Sequence, residues 1–592
     1  MPDTSLELMM DVAQRRAPAD LVFRNISVLN VFTETMERSD VSIVGGTIAR
    51  VAPAQEDLEI PAAETIDGSG SSLIPGLIDA HTHIEMSLVS PTAYASIVVP
   101  QGTTSAIVDM HDVANVGFDC MRHHAIETAA SPLKARLMLP PCVPATPKLE
   151  TAGFDMTLES LCEAIEWPDT LGIGEAMDFG RILDCEPEMM AMLSWAKDQK
   201  LIVDGHCPNL SGDRLQAYAV TGASSCHESG SLDELREKYA LGFKVIMRRG
   251  SLQEPFLAGE FVNGLADSTR VLLSTDGCVF LDELIDQGGM INALRQIIAE
   301  GIDPIAAIKI ASYNTARAYR IDDEVGSISV GRAADLIVVS DLDSVAIEAV
   351  YIDGELVTPS DPEQASTYDY PIEVMQTVRM DPVTADAFRI ETTEPDGLTD
   401  VRVKHFLYGT VIAEEQTHQL PVQDGVLHTD ASRDLIKISV FDRHRAGGEH
   451  TNAIVSGFNL TDCSFGGSIG QDAQNLVVVG TDDDDMALVV NAIREMHGGV
   501  AVASNGQVVA RVALPFAGIM SPSGPGAVRR ELDELHACLE AHGCTQMNPT
   551  FNLSLLLTCA VIPELKITNR GLVDVDRAEF VPLMASLSTL PG

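Results

Sequence analysis

Between residues 71 and 324 the chain alternates short apolar runs with helical stretches, and several of the runs close on a histidine or a carboxylate. Runs such as SAIVDM, GIGEAM, LIVDGH and VLLSTD are separated by segments such as LDELREKYA and MINALRQIIAEG. Strands that are apolar throughout belong to parallel sheets buried on both faces, and about 250 residues of such alternation suit a (β/α)8 barrel. The expected class is α/β: a TIM-like barrel over 71–324.

The flanks carry a different pattern. Residues 1–70 open with a helix and continue as short strands (LVFRNISVLN, DVSIVGGTIARVAP) with Gly45-Gly46 at a turn, which predicts a small antiparallel sheet. A similar β-rich stretch returns at 325–375, so the two flanks are expected to pair into one β-sandwich domain. Beyond the polar, Pro-containing PSDPEQASTYDYP segment, residues 376–592 mix strands and helices and are expected to form a separate α+β C-terminal domain. Its Asp482 to Asp485 run stands where acids cap a helix N-terminus.

Barrel enzymes gather their chemistry at the C-terminal ends of strands. In LIPGLIDAHTHIE, strand alternation turns His81 and His83 to one side. Glu175 in GIGEAMD, His206 closing LIVDGH, His227 after TGASSC and Asp276 closing VLLSTD stand at four further strand ends. Four imidazoles and two carboxylates can hold two divalent ions, with Glu175 bridging, His81, His83 and Asp276 on one side, and His206 and His227 on the other. Imidazole and carboxylate accept manganese, iron and zinc alike.

Composition narrows the partners. A net charge of −47 repels nucleic-acid phosphates and anionic membrane surfaces, which argues against both. Scarce lysine and dispersed acids fit a protein that stays hydrated in high salt, and equally an acidic protein of ordinary conditions. Eleven cysteines without a Cys-x-x-Cys pair point to a reducing cytoplasm. The N-terminus lacks the pattern of a signal peptide, and no apolar run is long enough to span a bilayer. A homo-oligomer is the ordinary expectation for an enzyme of this size.

With this ligand order, residues 20–360 resemble the amidohydrolase superfamily, and PGLIDAHTHIE, GEAMD, DGHCPNLSG, SSCHES and MRRGS are similar to the bacterial-type adenine deaminases. QNLVVVGTDDDDMALVVNAI and GGVAVASNGQV extend that resemblance over nearly the whole chain. It implies deamination of a purine base, adenine giving hypoxanthine and ammonia, by a metal-bound hydroxide, with Asp276 accepting and passing on a proton. Glu85, His111 and Asp112 are candidate catalytic residues for the ring nitrogens or the leaving group.

Three positions depart from that family's pattern. Thr275-Asp276-Gly277 replaces Thr-Asp-Asp, Asp109-Met110-His111-Asp112 replaces Asp-Pro-His-Glu, and a histidine-rich C-terminal motif reads Gln471-Asp472-Ala473-Gln474-Asn475. These leave three functional readings: adenine deamination, hydrolysis of another aminopurine or a cyclic amide at the same centre, or a catalytically silent binding relative.

Overall fold

The computed structural model describes residues 5–55, 59–251, 253–406, 413–562 and 564–585. Eight parallel strands line the barrel: β1 (Leu77–Thr82), β2 (Thr103–Asp109), β3 (Lys134–Leu139), β4 (Thr170–Ala176), β5 (Ile202–Gly205), β6 (Ser225–Cys226), β7 (Lys244–Arg248) and β8 (Val271–Ser274). They form two arcs, β1 to β5 and β6 to β8. One seam is closed where Ser224 N–H donates to the Val203 carbonyl at 3.3 Å. At the other, Asp276 N–H donates to the His81 carbonyl at 2.9 Å and Thr275 N–H to Asp79 Oδ1 at 3.0 Å. The TIM-like barrel expected from the apolar alternation is present.

Both faces of these strands are buried, which is why they read as unbroken apolar runs. Ile78, Ile107, Met138, Ile202, Ile246 and Leu272 fill the interior together with Tyr319. Val108, Leu137, Leu139, Ile173 and Val203 belong to the larger core under the helices. Tyr319 ties the interior together, its hydroxyl meeting the Ala80 carbonyl at 3.0 Å and Asp204 Oδ2 at 2.7 Å.

The flanks touch where Ile48 N–H donates to the Arg332 carbonyl at 2.9 Å, and Ser72–Pro75, inside the range expected for the barrel, runs antiparallel to Leu336–Val339. Hydrogen bonds link eight strands into one continuous sheet, so the sandwich expected from the sequence has no separate second sheet among the described residues. The sheet is also mixed where an antiparallel one was expected. Its first strand, Ala19–Asn30, pairs antiparallel with Thr35–Val44 but parallel with both Ala62–Asp67 and Ser72–Pro75. The hairpin of Thr35–Val44 and Thr47–Pro53 is completed before the chain re-enters beside its own first strand. A bulge between Phe23 and Ile26, with Asn25 at φ +57°, reverses the side-chain parity. Leu21 and Phe23 therefore share one core with Ile26 and Val28.

The C-terminal region is built on a nine-stranded sheet. Helix Asp483–Glu495 starts as the acidic run predicts, with Asp482 accepting from the backbone N–H of Asp484 and Asp485 at 3.0 Å each. Two wholly buried strands, Ser464–Gly470 and Asn475–Gly480, form an antiparallel hairpin. Its tip is Gln471-Asp472-Ala473-Gln474, and it points into the barrel mouth. The C-terminal region therefore also forms part of the site's wall. Among the described residues no helix is long and apolar enough to cross a membrane.

Candidate metal centre and active site

The pairing register slips between Asp79 and Thr82 at the end of β1. Past that slip the chain presents His81 and His83 together, their Nε2 atoms 3.2 Å apart. Glu175, from the end of β4, lies between two pairs of imidazoles. Its Oε1 is 3.2 Å from His81 Nε2 and 3.3 Å from His83 Nε2. Its Oε2 is 2.9 Å from His206 Nδ1 and 3.4 Å from His227 Nε2. Asp276 Oδ1 is 3.4 Å from His81 Nε2, 3.5 Å from His83 Nε2 and 3.8 Å from His227 Nε2. All six side chains are buried, and ligand atoms of His81, Glu175, His227 and Asp276 lie within 4.8 Å of one another.

The donor set fits a divalent metal. Imidazole nitrogens converge on carboxylate oxygens, and Glu175 Oε2 makes no well-formed hydrogen bond despite the close approach of His206. Burial, with the neighbouring His81, holds His227 well below its ordinary pKa, so it is neutral, the state in which imidazole ligates. Burial opposes charge on His81 as well, but hydrogen bonds to Asp276 and Glu175 overcome it and raise His81 to about 10. The two carboxylates thus draw positive charge into the cluster, and a divalent ion is the natural source of it.

Asp276 is held from behind. Arg248 Nη1, at the end of β7, donates to Asp276 Oδ2 at 2.8 Å and lies 3.4 Å from Glu228 Oε2. Glu228 Oε2 in turn stands 4.0 Å from His206 Nε2. Arg248 is a site residue that sequence reasoning missed, although it closes an apolar run as the ligands do. Tyr218 was missed too: its hydroxyl donates to the Ala176 carbonyl at 2.7 Å and accepts from His206 N–H at 3.1 Å, joining two ligand-bearing strand ends.

Glu85, His111 and Asp112 line one side of the centre, beyond the ends of β1 and β2. Glu85 Oε1 accepts from Val113 N–H at 3.1 Å, and Oε2 has no hydrogen-bond partner. Burial and the nearby Asp112 push the Glu85 carboxyl up to about 7. Asp109, both oxygens unpartnered, is pushed to about 8 by burial. Burial also opposes charge on His111, but Asp472, Asp112 and Asp109 outweigh it and lift the imidazole to about 9. The hairpin tip completes this wall. Gln471 Nε2 donates to both oxygens of Asp112 at 3.0 and 3.1 Å, Gln474 Nε2 donates to Oδ1, and Asp472 Oδ1 is 3.5 Å from His111 Nε2.

A cavity of about 380 Å³ opens beside these groups. Glu85, Asp112, Gln471 and Gln474 supply polar lining, and Leu88, Phe280, Leu281, Ile469 and Phe551 supply apolar walls. Apolar walls with a few placed polar groups are the usual make-up of a small-molecule site.

Barrel, ligand order and buried cluster define a metal-dependent amidohydrolase, and the amidohydrolase family model matches residues 72–252 and 260–357. The model of the adenine deaminase C-terminal domain matches residues 410–579. The chain is 35% identical to the adenine deaminase of Methanococcoides burtonii, covering 96% of each chain. It is 34% identical to that of Mesorhizobium japonicum over 97% of this chain and 96% of the relative. It belongs to the adenine deaminase family.

Proposed function

We propose that the protein hydrolyses the 6-amino group of adenine, giving hypoxanthine and ammonia. The observation that carries this reading is Glu175 set between two imidazole pairs, with Asp276 on the same centre and a polar wall beside it. His81, His83 and Asp276 would hold one divalent ion and His206 and His227 a second, Glu175 bridging; manganese, iron and zinc all suit these donors. When bound, the metal lowers the pKa of a water so that it becomes a nucleophile near neutral pH.

The chain's own groups do the rest. Asp276 accepts a proton from the attacking water through Oδ1 while Arg248 fixes Oδ2. Glu85, raised to about 7, can carry a proton to a ring nitrogen. His111 and Asp112, on the same side of the centre as Glu85, orient the ring. Apolar walls exclude bulk water, which strengthens each of these polar contacts.

In this reading residues 71–324 carry the chemistry, 1–70 and 325–375 brace the barrel, and 376–592 cover its mouth. Free cysteines throughout suit a reducing cytoplasm. The Asp112–Gln471 contact favours a second reading, a related aminopurine, because both partners depart from the family's pattern.

Ammonia release from adenine by the manganese-loaded protein tests the first reading. Asp276→Asn is expected to lower kcat on the order of 10²- to 10⁴-fold, and a chelator to abolish turnover. Ammonia from a substituted aminopurine but not from adenine would move the assignment to the second reading. A metal-loaded protein inert toward both would sink the proposal.

A further inference from the structure

The tip of the C-terminal hairpin brings a carboxylate to His111 that no barrel residue supplies. His111 is buried, and its two ring nitrogens stand in different surroundings. Nε2 faces Asp472 Oδ1 at 3.5 Å, with Asn115 Nδ2 at 3.4 Å, whereas Nδ1 has no hydrogen-bond partner. Asp472 is held in turn. Its Oδ2 accepts from the Cys559 thiol at 3.3 Å, Gln471 N–H donates to the Ser554 carbonyl at 2.9 Å, and the His444 ring meets the Ala473 carbonyl at 2.8 Å. A carboxylate fixed in this way beside one imidazole nitrogen orients the ring and stabilises its charged form.

We infer that Asp472 is a positioning residue of the active site: it pairs with His111 through Nε2, which keeps the ring charged and leaves the unpartnered Nδ1 as its free donor. The inference rests on the deaminase reading for the substrate, but the contact itself does not. Asp112 and Asp109, on the barrel side, and Glu150 also face His111. Asp112 is already engaged by Gln471 and Gln474, and among the described residues Asp472 is the acid within ion-pair reach of the ring, so it is the one in a position to act on Nε2. The C-terminal domain thereby contributes to catalysis through a side chain as well as by covering the barrel mouth.

The experiment is ¹⁵N NMR of histidine-labelled, metal-loaded protein, with the His111 signal identified by its loss in His111→Gln. Wild type is expected to show His111 with both ring nitrogens protonated near neutral pH. Asp472→Asn is expected to change that signature and to lower kcat for adenine on the order of 10²-fold, with KM and metal content within twofold. Asp472→Glu should restore both in part. Cys559→Ala gives a second handle, loosening Asp472 without removing it, and should move the signal in the same direction by less. An unchanged His111 signature in a folded Asp472→Asn protein overturns the inference. Because the spectrum is read without substrate, inactivity toward adenine would count against the deaminase reading alone.

Discussion

Gly277 is where one residue's backbone protects the centre. It sits at φ +61°, beside Asp276 at φ +56°. A Cβ there would lie 2.7 Å from the His83 carbonyl oxygen and 3.1 Å from His83 Cβ. The chain therefore cannot carry the family's second aspartate at this position without pushing on His83, one of the proposed metal ligands. Gly277→Asp is expected to cost about 1–3 kcal/mol of stability, from the strained φ and the close approach, and to lower metal content. Thermal unfolding together with metal analysis would show it. Full metal content and an unshifted midpoint would mean that the loop relaxes freely. At this scale the sequence was most legible, since a ligand at a strand end is announced by the apolar run before it. Arg248 escaped because arginine closing a run reads as an ordinary solvent-seeking end, and only its contact with Asp276 reveals a role.

At the scale of elements, the informative contact joins the helix that starts at His111 to a hairpin 359 residues further along the chain. Asp112 and Gln471 were each visible as departures from a family pattern, but nothing local in either segment says that they touch. In space the departures are complementary. A carboxylate one methylene shorter than glutamate is met by an amide whose Nε2 donates to both of its oxygens. The barrel strands could be read from periodicity because each is specified by its own residues. The mixed order of the flanking sheet could not, because parallel pairing is set by where the chain returns. A double-mutant cycle tests the complementarity. Asp112→Glu and Gln471→His are each expected to reduce kcat/KM for the favoured purine by roughly tenfold, equal to about 1.4 kcal/mol. The double variant should recover most of that loss, a coupling within the about 0.5–3 kcal/mol usual for contacting residues. Strictly additive losses would show that the two positions act independently.

For the whole molecule, the excess of acid decides how stability responds to salt. Ion pairs that join barrel and C-terminal region, such as Arg529 with Asp286 at 2.6 Å, are partly exposed and worth about 0–1 kcal/mol each. Salt weakens them. It also screens the repulsion arising from a net charge of −47, shortening the Debye length from about 10 Å at 0.1 M to about 3 Å at 1 M. Few pairs are lost while the repulsion acts between many unpaired acids, so screening should win. The thermal midpoint is expected to rise by roughly 5 °C between 0.1 and 2 M potassium chloride, equivalent to about 2 kcal/mol for a chain of several domains. Chloride rather than sulfate is the informative salt, because sulfate strengthens apolar burial in any protein. A midpoint that falls with potassium chloride would show that ion pairing outweighs repulsion, and that the acidic surface is no adaptation to salt.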